Sequence, residues 1–207
     1  MSITAVVALV AAGLIGWGIY ESQRPDTYTA PTTAGTTDDG LVLGEGPVTV
    51  DVYLDMLCPA CKQFEGSSGA TLDQLIADKK IKLVYHPIAI LDSASTTKYS
   101  TRAGGAVAAA AGSGKLGAYI RALYEAQPPE GGAGLSDDEL IRIAGTVGIT
   151  DPSFAEAVKS GKYHSWVTHV TEVADSEGVR STPTVIVAGK QVQATAAAVT
   201  TAVNAAS

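Results

Sequence analysis

The chain has 207 residues, of which 14 are Lys or Arg and 21 are Asp or Glu, so its formal charge is −7. This acidic balance argues against nucleic acid as a partner, because phosphate recognition needs a basic surface. Since 46% of the residues are hydrophobic and 17% are charged, one domain of about 160 residues can bury an adequate core, and disorder is excluded for most of the chain.

The N-terminus carries an uncharged apolar run over residues 3–20 that ends in Trp17 and Tyr20. Its length and its terminal aromatic residues predict one membrane span. A cleaved signal peptide is the main alternative, but no basic residue precedes the run and no clear small-residue cleavage site follows it. A buried helix is a third interpretation. Residues 1–20 are therefore predicted to be a transmembrane anchor or a signal segment.

Residues 21–46 are predicted to be a flexible linker. They contain Pro25, Pro31 and a Thr-rich stretch, and they show almost no aliphatic periodicity before Leu41. Such a composition is typical of a tether. The folded domain is accordingly expected over residues 47–207.

An alternating pattern over residues 48–54 predicts a strand with one buried face. The only two cysteines of the chain, Cys58 and Cys61, follow this strand at its junction with a helix predicted over residues 62–79. Two thiols in this arrangement are typical of a redox dithiol, in which the helix N-terminus stabilises the first thiolate.

Two other interpretations of the cysteine pair are less favoured. Half of a zinc site would need two more ligands, and the histidines at 86, 164 and 169 show no second paired spacing. A purely structural disulfide would close so small a loop that it would constrain the unfolded chain little. We therefore expect no metal and no cofactor.

The remaining pattern splits the domain into two halves. A second strand at 81–85 ends at His86-Pro87, and residues from about 98 to 178 show helical patterns. A β-branched run at 184–187, a turn at Gly189 and an Ala-rich helix at 194–206 complete the chain. The predicted fold class is α/β, with a βαβ half and a ββα half separated by an all-helical insertion.

Four segments of the sequence match, in their order along the chain, the motifs of one known family. They are Asp55-Met56-Leu57-Cys58-Pro59-Ala60-Cys61, Tyr85-His86-Pro87-Ile88, Leu123-Tyr124-Glu125-Ala126-Gln127-Pro128 and Gly178-Val179-Arg180-Ser181-Thr182-Pro183-Thr184. With these segments the chain resembles the DsbA-like thiol:disulfide oxidoreductases of the thioredoxin superfamily, particularly the membrane-tethered type of the bacterial envelope. The resemblance implies a thioredoxin-like core with an inserted helical domain.

The resemblance also implies roles for individual residues. Cys58 matches an exposed nucleophile and Cys61 a buried resolving cysteine. Thr182 and Pro183 match a cis-proline loop that lies against the dithiol and offers backbone hydrogen bonds to the substrate. The residues between the two cysteines, Pro59 and Ala60, are included in the predicted substrate-binding surface.

Two acidic positions bear on this resemblance. Many family members carry a buried acid six residues before the nucleophile, where this chain has Val52. The neighbouring Asp51 belongs to the opposite strand face. We therefore expect water to perform the proton transfers of Cys61. Asp55 matches a family position and is equally consistent with a solvated carboxylate at the strand end.

The expected activity is the introduction of disulfides into unfolded or cysteine-containing secreted and envelope proteins. A membrane redox partner would re-oxidise the dithiol, and the expected location is the bacterial cell membrane, single-pass, with the catalytic domain on the extracytoplasmic side. One alternative is a tethered thioredoxin-like reductase or isomerase. Another is a non-enzymatic binding or chaperone module, against which the intact dithiol weighs.

Overall fold

The computed structural model describes residues 28–32 and 36–207. The predicted anchor or signal segment at residues 1–20 lies outside these residues, as do residues 21–27 and 33–35 of the predicted linker. Of the helices within the described ranges, none is both long and apolar enough to cross a membrane.

The described chain forms strands and helices in an α/β order, with five consecutive helices between the third and fourth strands. The strands are β1 (Leu41–Leu43), β2 (Val48–Leu54), β3 (Ile81–Pro87), β4 (Thr184–Val187) and β5 (Lys190–Val192). The helices are α1 (Pro59–Ala77), α2 (Tyr99–Ala109), α3 (Leu116–Glu125), α4 (Asp137–Thr146), α5 (Pro152–Lys159), α6 (His164–Ser176) and α7 (Ala196–Ala206). Short 3-10 turns at Asp92–Ala94 and Ala111–Ser113 flank α2.

The strands form one five-stranded sheet in the order β1-β3-β2-β4-β5. The central strands β2 and β3 run parallel, and the other three pairings are antiparallel. Val52 lies at the centre of the sheet, opposite Tyr85 on one side and Val185 on the other. It is fully buried, as its place in the alternating pattern predicts.

The sheet separates two helical layers. The Tyr85 side chain reaches Glu65 on α1, and α1 packs against α7 on the same face. The next residue, His86, points to the opposite face, where its ring stacks on Tyr53 at a centroid distance of 4.3 Å. Helix α6 packs against β3 and continues to Glu177, which accepts a hydrogen bond from the Tyr53 hydroxyl. The carboxyl end of β2, where the cysteines follow, therefore meets both layers.

The ordered sheet begins before the predicted domain boundary at residue 47. Leu41 is fully buried and pairs with Tyr85 at the edge of the sheet. Just before it, the Asp38 carbonyl oxygen accepts a hydrogen bond from Trp166 Nε1 at 2.7 Å. The sequence gives little sign of this, because β1 has only three residues and its stability depends on pairing with a strand far along the chain.

Candidate active site

Both cysteines lie at the start of α1. Cys58 is the N-cap residue, Pro59 occupies the first helical turn, and both sulfurs are free thiols. Proline is well tolerated there, since the first helical N–H groups have no partner within the helix. Cys58 is 6% exposed and Cys61 is fully buried. The exposed nucleophile that the resemblance implies thus presents only a small part of its surface to solvent.

The surroundings of Cys58 stabilise its thiolate. Its pKa is lowered to about 5, first by a hydrogen bond from the Cys61 thiol and further by the side chain of Thr182 and the backbone N–H groups of Ala60 and Cys61. Burial acts in the opposite direction but does not prevail. This value is well below the pKa of about 8.5 of a free cysteine. Cys58 is therefore ionised at neutral pH.

Cys61 has the opposite property. Burial raises its pKa far above the usual range, and the neighbouring Cys58 raises it further. Tyr124, from α3, interacts electrostatically with Cys61, and its hydroxyl donates to the Asp55 carbonyl oxygen at 3.1 Å. The pair therefore consists of one acidic thiol and one thiol that stays protonated.

The loop before β4 lies against the first cysteine. The Thr182–Pro183 peptide bond is cis, as the resemblance implies. Cys58 Sγ lies 3.3 Å from the Thr182 carbonyl oxygen, to which the sulfur donates a hydrogen bond only when it is protonated. Thr182 and Pro183 are partly exposed, and Pro59 and Ala60 are exposed. The six predicted site residues thus belong to two segments that meet at the Cys58 sulfur.

Asp55 is buried in the turn that joins β2 to Cys58. Its side chain is 0% exposed. Oδ1 accepts hydrogen bonds from the Leu57 N–H at 2.8 Å and the Ser100 hydroxyl at 2.6 Å, and Oδ2 accepts one from the Leu91 N–H at 2.9 Å. Of the two sequence interpretations, the solvated carboxylate is wrong.

A second buried acid, Glu65, was not among the predicted site residues. It lies one helical turn after Cys61 on the same face of α1 and is 2% exposed. The Tyr85 hydroxyl donates to Oε1 at 3.0 Å, while Oε2 has no hydrogen-bond partner among the described residues. Burial raises its pKa to about 7. The core beside Cys61 therefore holds a carboxyl group although Val52 supplies none.

Gln127, just after α3, supports the turn from outside. Its Nε2 donates to the carbonyl oxygens of Met56 and Cys58, each at 3.0 Å. In the sequence, Gln127 belongs to a segment that matches the family, without a predicted role. Its contact with the turn forms because α3 folds back over the start of α1. Elsewhere in the described chain, no group of three or more His, Cys, Asp or Glu side chains is arranged to hold a metal ion.

The sequence model of the thioredoxin family matches residues 36–205 of this chain. The chain belongs to the thioredoxin family. Solved structures place it more closely within that family. The reduced DsbA of Mycobacterium tuberculosis is 31% identical, with a TM-score of 0.65, and the match covers 74% of this chain and 84% of that one.

A second thioredoxin-family structure supports the same assignment. The disulfide bond oxidoreductase DsbG of Mycobacterium tuberculosis is 30% identical, with a TM-score of 0.67, over 77% of this chain and 82% of its own. This chain is thus a DsbA-like thiol:disulfide oxidoreductase with an α/β thioredoxin-like fold.

Part of the chain is also similar to a larger protein. The serine/threonine-protein kinase PknE of Mycobacterium tuberculosis strain H37Rv is 37% identical over 133 residues, which is 60% of this chain and 23% of the kinase. The chain thus spans less than a quarter of the length of the curated relatives that it matches.

Proposed function

We propose that Cys58 and Cys61 are the catalytic pair and that this oxidoreductase introduces disulfides into secreted or envelope proteins. The observation that carries the proposal is the opposite acidity of the two thiols. The pKa of Cys58 is lowered to about 5, whereas that of Cys61 is raised far above the neutral range. A thiol with a low pKa is the better leaving group, so the mixed disulfide on Cys58 is the one readily resolved by a second substrate thiol.

The reaction consists of two exchanges that start from the Cys58–Cys61 disulfide. A substrate thiolate attacks Cys58 Sγ, the bond between the cysteines breaks, and Cys61 leaves and takes up a proton. A second thiolate of the substrate then attacks the substrate sulfur of the mixed disulfide and expels Cys58 as a thiolate. Two electrons pass from the substrate dithiol to the enzyme dithiol, and a redox partner must remove them before the next cycle.

The exposed residues around Cys58 suit an extended polypeptide. Pro59 and Ala60 follow Cys58 at the start of α1, and the Thr182 carbonyl oxygen, next to Pro183, lies 3.3 Å from the Cys58 sulfur. Thr184 pairs with Tyr53 at the start of β4, so the residues just before it continue the strand direction, with no sheet partner among the described residues. We propose that cysteine-containing unfolded chains bind there through backbone hydrogen bonds, as an added strand does at a sheet edge.

The proposed setting is the bacterial cell membrane, with residues 1–20 as a single-pass anchor, residues up to the sheet as a tether, and residues 98–178 as a helical insertion. The apolar run at the N-terminus supports this arrangement. The test is carbonate extraction of membranes, followed by protease treatment of intact spheroplasts. An extracytoplasmic enzyme stays in the membrane fraction and is digested from outside. Release of the protein from the membrane by carbonate would refute the proposed anchor, and full protection of the domain from the protease would refute its extracytoplasmic location.

The direction of electron flow is tested with purified protein. The oxidised enzyme should restore the activity of a reduced, denatured ribonuclease faster than glutathione disulfide alone, and Cys58→Ser should abolish this effect. Equilibration with glutathione should give a reduction potential between about −270 and −120 mV, the range of the superfamily. A value at or below the thioredoxin end, together with faster insulin reduction, would support a reductase instead.

Trapping in cells identifies the substrates. The Cys61→Ala variant should accumulate mixed disulfides on Cys58, because the resolving thiol is absent. Secreted, cysteine-containing polypeptides among the trapped partners are the expected result, and Cys58→Ser provides the matched control without any trap. A membrane reductase as the dominant partner would contradict the oxidase direction.

A further inference from the structure

We propose that residues 28–32 and 36–43 form a strap, which fixes the N-terminal part of the chain to the folded domain at the edge of the sheet that carries the dithiol. The strap leaves only residues 21–27 between the domain and the proposed anchor, so the dithiol works close to the membrane surface. The inference rests on the proposed anchor at residues 1–20. It goes beyond the proposed function because it assigns the position of the active site relative to the membrane.

The first part of the strap packs against α6. The Tyr28 ring stacks on the His169 ring at a centroid distance of 4.0 Å and an interplanar angle of 14°. Tyr28 and Ala30 pack against the hydrophobic core, and Pro31 is buried. The Pro31 carbonyl oxygen accepts a hydrogen bond from the Thr36 hydroxyl at 2.7 Å, which joins the two parts of the strap. Because burial of apolar side chains is favourable, this part of the strap belongs to the folded domain.

The second part of the strap crosses the end of β3. His86 Nδ1 donates a hydrogen bond to the Asp39 carbonyl oxygen at 2.8 Å, since a carbonyl oxygen can only accept. Gly40 allows the close approach to β3. A Cβ atom at this position would lie 2.4 Å from Val84 Cγ1 and 3.1 Å from His86 Cε1. The strap therefore follows one defined path over the strand.

The strap and the dithiol lie at the same edge of the sheet. β2 and β3 run parallel and end together, with Leu54 opposite Pro87. Cys58 follows β2 at this edge, and the strap crosses the end of β3 beside it. α6 reaches the same edge, because Thr171 accepts a hydrogen bond from the Ala89 N–H just after β3 at 2.9 Å. The start of the strap, which packs on α6, is thus close to the edge that carries the dithiol.

The strap shortens the chain between the domain and the proposed anchor. Residues 21–27 can bridge at most about 25 Å, whereas residues 21–40, without the strap, could bridge about 70 Å. A domain of about 170 residues is roughly 40 Å across, so the shorter length keeps the edge with the dithiol near the lipid. This position suits a redox partner embedded in the same membrane, because a short link raises the effective concentration of the two sites.

The test measures the height of the dithiol above the membrane in the anchored full chain. In Cys61→Ala, Cys58 is the only cysteine, so a maleimide-linked donor fluorophore labels it alone. Energy transfer to an acceptor-labelled lipid in nanodiscs then reports the distance from the membrane. A flexible Gly/Ser insert of about 20 residues between Thr27 and Tyr28 should increase this distance by roughly 10–15 Å. The same insert after Ser207 is the matched control and should leave the distance unchanged.

Variants at the contacts test the strap itself. Tyr28→Ala combined with Pro31→Ser removes its apolar contacts, which frees further chain and should increase the distance by roughly 5 Å. The exposed Thr29→Ala is the matched control and should have no effect. An anchored chain in which the insert before Tyr28 leaves the distance unchanged, or in which the double variant behaves like Thr29→Ala, would overturn the proposal.

Failure of the strap and failure of the anchor give different results. Release of the unmodified chain from membranes by carbonate would refute the proposed anchor, and the short tether with it. Retention in the membrane together with equal distances in all variants would refute the strap and leave the anchor intact. Neither readout depends on turnover, so the ribonuclease assay tests the proposed activity separately.

Discussion

The Tyr85 hydroxyl donates a hydrogen bond to Glu65 Oε1 at 3.0 Å across the interface between β3 and α1. Both side chains are buried, and burial raises the pKa of Glu65 to about 7 even though Tyr85 and Arg121 favour its charged form. Between the unfolded value near 4.3 and this folded value, the folded protein binds more protons than the unfolded chain. Ionisation of Glu65 therefore reduces stability as the pH rises through this interval.

Glu65→Gln should remove this pH dependence. The amide retains an acceptor for Tyr85 but cannot ionise, so the variant should gain stability relative to the wild type as the pH is raised from about 4 to 8. The gain should be on the order of 3–4 kcal/mol. Urea unfolding of both proteins at each pH measures it. The exposed Glu156→Gln is the matched control, and an equal pH-dependent gain there would contradict the assignment to Glu65.

Cys61 contributes to the acidity of Cys58 through its thiol proton. The hydrogen bond from Cys61 is the largest of the influences that lower the pKa of Cys58 to about 5. Cys61→Ala should therefore raise the Cys58 midpoint clearly above 5, measured by thiolate absorbance. Cys61→Ser keeps a hydroxyl donor at the same place and should raise it less. A midpoint in Cys61→Ala at or below the wild-type value would show that the backbone and the Thr182 loop suffice.

Tyr99 contains a buried hydroxyl for which the described residues offer no hydrogen-bond partner. An unpaired buried polar group is unfavourable, so Tyr99→Phe should leave the stability unchanged or raise it by up to about 1 kcal/mol. Tyr119→Phe is the matched control, since the Tyr119 hydroxyl donates to the Leu140 carbonyl oxygen at 3.1 Å. That control should lose about 1 kcal/mol. Equal losses in urea unfolding would show that Tyr99 has a partner.

Local signals in the sequence predict much of this fold. The alternation along β2 matches its burial, Ser136 and Glu139 form a capping box at the start of α4, and Asp151 caps α5. Each of these features depends on residues close together in the chain. The position of Cys58 and Cys61 at a strand-to-helix junction follows from the same kind of signal.

The acids around the dithiol could not be assigned in this way. Asp55 is buried because donors arrive from Leu91 and Ser100, which are distant in sequence. The spacing of Glu65 from Cys61 is visible in the sequence, but its burial depends on contact with β3. The sequence of β2 shows that no acid occupies position 52. It carries no information on carboxyl groups that other elements place near the dithiol.

Variants at Gln127 test whether the contact between the end of α3 and the turn that carries Cys58 stabilises the domain. Its Nε2 donates to the Met56 and Cys58 carbonyl oxygens. Gln127→Glu preserves the shape but places a carboxylate against two acceptors, so the loss of stability should be larger at pH 8 than at pH 4, where a protonated carboxyl can still donate one bond. We expect a loss of about 1–3 kcal/mol at pH 8, measured by urea unfolding. Gln127→Ala removes the donors without adding charge, and its loss should vary little between the two pH values. Equal losses in both variants at both pH values would show that a charge at this position is solvated and does not act on the two carbonyl groups, and no loss in Gln127→Ala would show that they do not depend on Gln127.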